Sequence, residues 1–267
     1  MLQSYKEADP GALPALALPV SCFAWLEAQA VAEPRATPLD RLWAATDDLI
    51  ILAFFFLLHV GEYTPARAAT PRRTVALRKK DIQLWDGNHQ LLSLDAPDAI
   101  LATAVSISIS LVNQKNGVRF PVRRHSATNA ALCPVRAVIR RLRHLRGDPD
   151  STPLSTVHHS ATSTQHVTPA VVTSRLHLAA LATGILTMGF LLARISTHSV
   201  RASGATALKL NGVSDSGVCD SDIQFLGRWS SNTFVQYIQV QLCALARPLA
   251  ARMIHYIPYY NISPNER

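Results

Sequence analysis

The run Leu49-Ile50-Ile51-Leu52-Ala53-Phe54-Phe55-Phe56-Leu57-Leu58 constrains this chain more than any other stretch. Its ten residues are too few to cross a bilayer, which takes about 17–25. Together with Asp48 before it and Glu62 after it, the run predicts a helix over 48–62 with Thr46 or Asp47 as its cap. A helix apolar nearly all round belongs at the centre of a fold. The chain has 267 residues, 48% apolar and 16% charged, enough to enclose it. That composition excludes a disordered chain and a disulfide mini-scaffold.

Around this centre the sequence predicts further helices. Val20, Phe23, Leu26 and Ala30 share one face of a helix over 18–31. Pro134 opens a basic helix to Arg146. Thr168-Pro169 is an N-cap with proline at the first helical position, starting helices that run to about Leu192. Within them 178–193 is uncharged, slightly short of a membrane span, and reads as a buried helix. Helices over 197–210, 221–226 and 232–256 follow, and 147–168 reads as a loop.

Strand texture is confined to the middle of the chain. Val105, Ile107 and Ile109 alternate with Ser106, Ser108 and Ser110, a period of two. Asp86-Gly87-Asn88 forms a turn before Leu91, Leu92 and Leu94, and Asn113-Gln114-Lys115-Asn116-Gly117 is a tight turn before a returning strand over 118–122. The expected fold is α+β, mostly helical, with an antiparallel sheet of three strands at most.

The 26 Lys and Arg exceed the 18 Asp and Glu by eight, which points to polyanions, either nucleic acid or an anionic membrane surface. Arg67, Arg72, Arg73, Arg78, Lys79 and Lys80 crowd the approach to the sheet. No acid lies between Asp98 and Asp148, a stretch holding Lys115, Arg119, Arg123, Arg124, Arg136, Arg140 and Arg143. Clustered charge without carboxylates suits phosphate contacts and favours nucleic acid over a solvated helix face. Cys22, Cys133, Cys219 and Cys243 have no metal spacing and read as reduced core thiols of an intracellular protein. The start of the chain carries no secretory pattern.

The chemistry-bearing stretch is Thr197-His198-Ser199-Val200-Arg201, followed by Leu226-Gly227-Arg228-Trp229 and then Tyr237. His198 and Arg201 leave the same helical turn. A guanidinium can bind two phosphate oxygens and an imidazole can move a proton. Gly204 and Ala205 permit close approach of another backbone.

Taken in order, Leu57-Leu58-His59-Val60-Gly61-Glu62, Lys115 in its turn, His198-x-x-Arg201, Leu226-Gly227-Arg228-Trp229 and Tyr237 resemble the tyrosine recombinases, the phage-integrase family. The similarity is nearest to the forms carried by Crypton-like eukaryotic mobile elements, which Leu132-Cys133-Pro134-Val135-Arg136 also resembles. The resemblance implies a catalytic domain over 18–260, a leader or remnant of a lost core-binding domain over 1–17, and a tail over 261–267.

It further implies cleavage of double-stranded DNA through a 3′-phosphotyrosyl intermediate without metal or cofactor. Tyr237 would be the nucleophile, Lys115 the general acid, and His198 a proton-handling group. Arg201 would clamp the phosphate and Trp229 would donate its indole N–H to it. Arg119, Arg123, Arg124, Arg136, Arg140 and Arg228 would contact DNA. The helix over 232–256, with Val240, Leu242, Leu245 and Leu249, would pack within the chain or on a neighbouring copy. No membrane partner is expected, and the nucleus is the compartment that a eukaryotic DNA substrate implies.

The departures matter as much. Where the family has its first arginine this chain has His59. Histidine offers at most two donors, and the loss of one preorganised donor typically costs about 10²–10³ in rate. The interval from Trp229 to Tyr237 is one residue short, which makes Arg228 an alternative at the Trp229 position. Residues 214–222 resemble an insertion. Impaired activity, a catalytically dead DNA-binding remnant, and an unrelated basic helical interaction module therefore all stand as readings.

Overall fold

The computed structural model describes residues 16–32, 36–65, 74–111, 122–160, 162–211 and 220–228. Helix α1 (Val20–Val31) precedes α2 (Pro38–Phe56). The central helix thus begins at Pro38 and not at position 48. Its start is a capping box: Thr37 Oγ1 accepts from the Asp40 backbone N–H at 3.1 Å, and Asp40 Oδ2 accepts from that of Thr37 at 2.9 Å. Thr46 and Asp47, expected as caps, lie inside it and are buried.

Two carboxylates can sit in that core because each meets a guanidinium. Arg175 holds Asp47 by two bonds of 2.7 Å, with the Trp25 and Trp43 rings 4.8 and 5.1 Å from its Cζ. Arg140 reaches Asp48 at 2.7 Å and Glu27 at 2.6 Å.

Helix α2 ends at Leu57, whose φ of 50° and ψ of 47° are left-handed, and the short helix α3 (Val60–Tyr63) follows. Strands β1 (Ile82–Trp85) and β2 (Leu91–Leu92), helix α4 (Asp98–Leu101), and strands β3 (Ser106–Ser110) and β4 (Val122–Ser126) complete the sheet region. The sheet has four antiparallel strands in the order β2-β1-β3-β4, where three were expected. The strand missed is β1, on the far side of the Asp86 turn, where Asp86 Oδ1 accepts the Asn88 and Gln90 N–H groups. The described part of the returning strand is Val122–Ser126, and residues 118–121 of the expected one lie outside the described residues.

Ile107 and Ile109 face the core as their alternation requires, but Ser106 and Ser108 are buried too. Trp85 Nε1 donates to Ser108 Oγ at 3.1 Å, and Arg124 Nη2 donates to Ser106 Oγ at 2.7 Å, so these side chains close the second face.

Helix α5 (Pro134–His144) is followed by strands β5 (Thr156–His158) and β6 (Thr164–His166), which pair as a hairpin inside the expected loop. Helices α6 (Pro169–Ala182), α7 (Thr197–Asn211) and α8 (Asp220–Gly227) close the described chain. Helix α2 packs against α1, α5, α6 and α7.

The buried helix expected over 178–193 does not form. Helix α6 stops at Ala182 and two 3-10 turns follow, because Gly184 (φ 68°) and Gly189 (φ 86°) take left-handed conformations that end helical runs. Leu178, Leu181 and Leu191 are exposed. Among the described residues no helix is long and apolar enough to cross a membrane.

Candidate functional site

The C-terminal ends of α2 and α8 face each other across three arginines that arrive from different elements. Helix α7 brings Arg201 because Gly204, one turn on, lets it lie directly on α2. A Cβ at Gly204 would overlap the Phe54 carbonyl oxygen and the Leu57 side chain. The expected close backbone approach is therefore between α7 and α2.

Arg201 is buried and donates to the Leu57 carbonyl at 2.5 Å and to the Gly227 carbonyl. Arg228 ends α8 with φ 60°. Its guanidinium reaches the Phe56 and Leu57 carbonyls at 3.3 and 3.2 Å and Glu62 Oε2 at 2.6 Å. Arg123, on β4, donates to the Phe225 carbonyl at 2.8 Å.

Only three non-glycine residues among those described have positive φ, and two of them, Leu57 and Arg228, terminate the helices of this site. A left-handed side-chain-bearing residue is strained, and such strain gathers where a site needs it. Here it turns the last carbonyls of α2 toward the guanidiniums.

Three guanidiniums gather here with the Glu62 carboxylate and two helix C-terminal ends, each end worth roughly −0.5. Burial lowers the Arg228 pKa, Glu62 works against that shift, and the nearby Arg123 charge adds to it. Guanidiniums grouped in this way are rich in N–H donors, which suits an anion of phosphate geometry.

His59 stands beside this cluster as the residue before α3. Its backbone N–H donates to Glu62 Oε2 at 2.8 Å, and the residue is exposed. One oxygen of Glu62 therefore joins position 59 to Arg228. His198 is exposed in the first turn of α7, whereas Arg201 of the same helix turns inward. Lys115, Arg119, Trp229, Tyr237 and the helix expected over 232–256 lie outside the described residues, as do Arg67, Arg72, Arg73, Cys219 and Cys243.

The remaining basic residues sort themselves by partner. Arg140, expected to contact DNA, is committed to Glu27 and Asp48. Arg143 pairs with Asp98 at 3.3 Å, and Arg146 pairs with the same carboxylate. Arg78 pairs with Asp81 at 3.0 Å, and the fully buried Lys79 with Asp95 at 3.0 Å. The acid-free stretch of sequence thus acquires its carboxylates from elsewhere in the fold.

Arg124 and Arg136 are exposed. Arg136 donates to the carbonyls of Thr128, Ala130 and Ala131 and lines, with Arg140 and Arg143, an open cleft of about 820 Å³ beside α5. Cys22 and Cys133 are buried free thiols. Among the described residues no group of His, Cys, Asp and Glu is placed to hold a metal ion.

Two residues of the cluster were not singled out from the sequence as site residues. Glu62 was visible only as the end of the expected helix over 48–62 and of the motif that begins at Leu57. His125, whose imidazole lies against the Phe56 ring at 4.6 Å and is held toward its neutral form by burial, gave no signal.

No protein-family model matches the chain, and no curated protein matches it in sequence. Among solved structures, an integrase of the Tn1549 transposon in complex with transposon right end DNA is similar at 13% identity and a TM-score of 0.47. The match covers 91% of this chain and 69% of that one. A likeness this distant assigns neither a fold nor an activity to the chain.

Proposed function

We propose that this chain is a DNA-binding domain of tyrosine-recombinase type from a mobile element, with strand cleavage weakened by His59. One observation carries the reading. Arg201, Arg228 and Arg123 converge on the ends of α2 and α8. The motifs containing His59, Arg201 and Arg228 are among those that carry the family resemblance, and their backbones or side chains meet at Leu57 and Glu62.

In this reading the Tyr237 oxygen attacks a DNA phosphorus, and a phosphotyrosyl bond forms on the 3′ side. His198 takes the phenol proton, and the 5′-oxygen leaves with a proton from Lys115. Arg201 binds the phosphate, and a donor at Trp229 or Arg228 completes its coordination. Preorganised donors are the largest contribution to such a step, since a phosphorane carries extra negative charge. Bond energy stays in the covalent intermediate, so the reaction requires no ATP, metal or cofactor. The substrate would be nuclear if the element is eukaryotic, and the stretch over 232–256 would join copies on DNA.

The second reading is a remnant that binds DNA without cutting it, favoured by the absence of an arginine at position 59. A search for an SDS-resistant protein–DNA adduct on nicked duplexes separates the two. Wild type, His59→Arg, Tyr237→Phe and the double variant are compared. Adduct in wild type that Tyr237→Phe abolishes establishes the recombinase. Adduct only in His59→Arg, lost in the double variant, identifies a recombinase disabled at one position. Duplex binding without adduct from any protein supports the remnant, and no duplex binding overturns both.

A further inference from the structure

Phe225, in the last turn of α8, is 67% exposed, more than any other exposed large apolar residue among those described. A ring this open contributes little to packing, yet it is not loose. The Arg123 guanidinium lies 3.9 Å from its centroid, and Arg123 Nη2 bonds the carbonyl of the same residue at 2.8 Å. One face of the ring is therefore backed by a cation anchored on β4, and much of the remaining ring surface is open to solvent.

The surroundings choose between occupants. A protein partner would favour a broad apolar patch, but Phe225 stands with Arg123 on its ring and with Arg228 and the half-buried Gln224 beside it in the chain. A guanidinium on one face draws electron density from the ring and favours an electron-rich aromatic on the other. Nearby arginines attract a polyanionic backbone. A nucleobase in DNA joins both properties. In an intact duplex each base face is already stacked, so only an unpaired base can offer one.

We propose that Phe225, held by Arg123, is a stacking platform for an unpaired nucleobase of a DNA strand whose phosphates lie on the neighbouring arginines. This rests on the DNA-binding reading above, in which cutting a strand frees bases beside the break.

The test uses the full chain, an intact duplex, and the same duplex bearing a three-nucleotide flap with 2-aminopurine at its first unpaired position. Affinity is followed by anisotropy, and stacking by quenching of the 2-aminopurine. Wild type should prefer the flap by on the order of ten-fold and quench the probe, since a base stacked on an aromatic ring is worth that much. Phe225→Tyr should retain both effects, and Phe225→Leu should lose both. Arg123→Gln should weaken both, and Leu191→Ala, at an exposed position between α6 and α7, should change neither.

Duplex binding by wild type without flap preference, or preference and quenching that survive Phe225→Leu, overturns the platform and leaves the DNA-binding reading intact. A Phe225→Leu effect confined to self-association makes the ring a protein contact and also overturns it. No binding to either DNA removes both proposals.

Discussion

The Arg228 guanidinium and the Glu62 carboxylate meet at 2.6 Å, although 166 residues separate them in sequence. Both side chains are about 5% exposed, and the same Glu62 oxygen accepts the His59 backbone N–H. Removing one member of a buried ion pair leaves an uncompensated charge and costs about 3–5 kcal/mol. Glu62→Gln and Arg228→Met should each destabilise by that order, and the double variant by clearly less than the two together. Urea unfolding of the three variants measures the coupling. Strict additivity would mean that the pair does not act as a unit.

Gly204 is the position where α7 rests on α2. The nearest obstacle to a Cβ is the Phe54 carbonyl oxygen, which is backbone and cannot rotate aside. Gly204→Ala should therefore push the helices apart and cost roughly 1–3 kcal/mol, although alanine ordinarily stabilises a helix interior. Arg201 is one turn away, so the substitution should also weaken binding to duplex DNA. A thermal melt and an affinity measurement on the same sample check both expectations. An unchanged or raised Tm would contradict the crossing.

Much of the helical framework was legible because its signals are local. Thr168-Pro169 sets the start of α6, and the spacing of Phe23, Leu26 and Ala30 sets the buried face of α1. The centre of the fold was legible from the 49–58 run, but its start was not. Thr37-Pro38 carries the same Thr-Pro signal as the start of α6, with a capping box to Asp40, but it lies well before the apolar run that drew the expected start to position 48.

Ion pairing was the least legible feature. Arg140 reads as a free cation until the fold brings Glu27 and Asp48 to it from 113 and 92 residues away. The β5–β6 hairpin was hidden for another reason: only Val157 among its six strand residues is a buried apolar residue, so no alternation exists to detect.

That sorting of cations gives a salt-dependence test. Each phosphate contact contributes close to one unit to the slope of log affinity against log salt. Arg124→Gln and Arg136→Gln, at exposed positions, should each lower the slope by about one if they touch the backbone. Arg140→Gln should leave the slope unchanged, because its charge is spent on Glu27 and Asp48. It should instead lower stability by about 3–5 kcal/mol through the two carboxylates it abandons. Anisotropy titrations between about 50 and 200 mM salt provide the slopes. A reduced slope for Arg140→Gln in a folded protein would return that residue to the DNA contacts.

Asp47 predicts a pH dependence whose sign is unusual for an aspartate. Burial raises its pKa from 3.8 to about 7, against the opposing pull of Arg175. Between about pH 4 and pH 7 the folded chain therefore holds this proton more tightly than the unfolded chain does. The stability contributed by the group is fully present below about pH 4 and is lost as pH rises through about 7. Asp95 is held low by the Gly147 N–H and Asp98 by Arg146, so both give slopes of the opposite sign. Those terms cancel when wild type is compared with Asp47→Asn, which keeps both residues but cannot titrate at position 47. The stability of wild type relative to Asp47→Asn, measured by urea unfolding at intervals across that range, should fall steadily as pH rises. A difference that stays level or grows would mean that Arg175 keeps Asp47 ionised throughout.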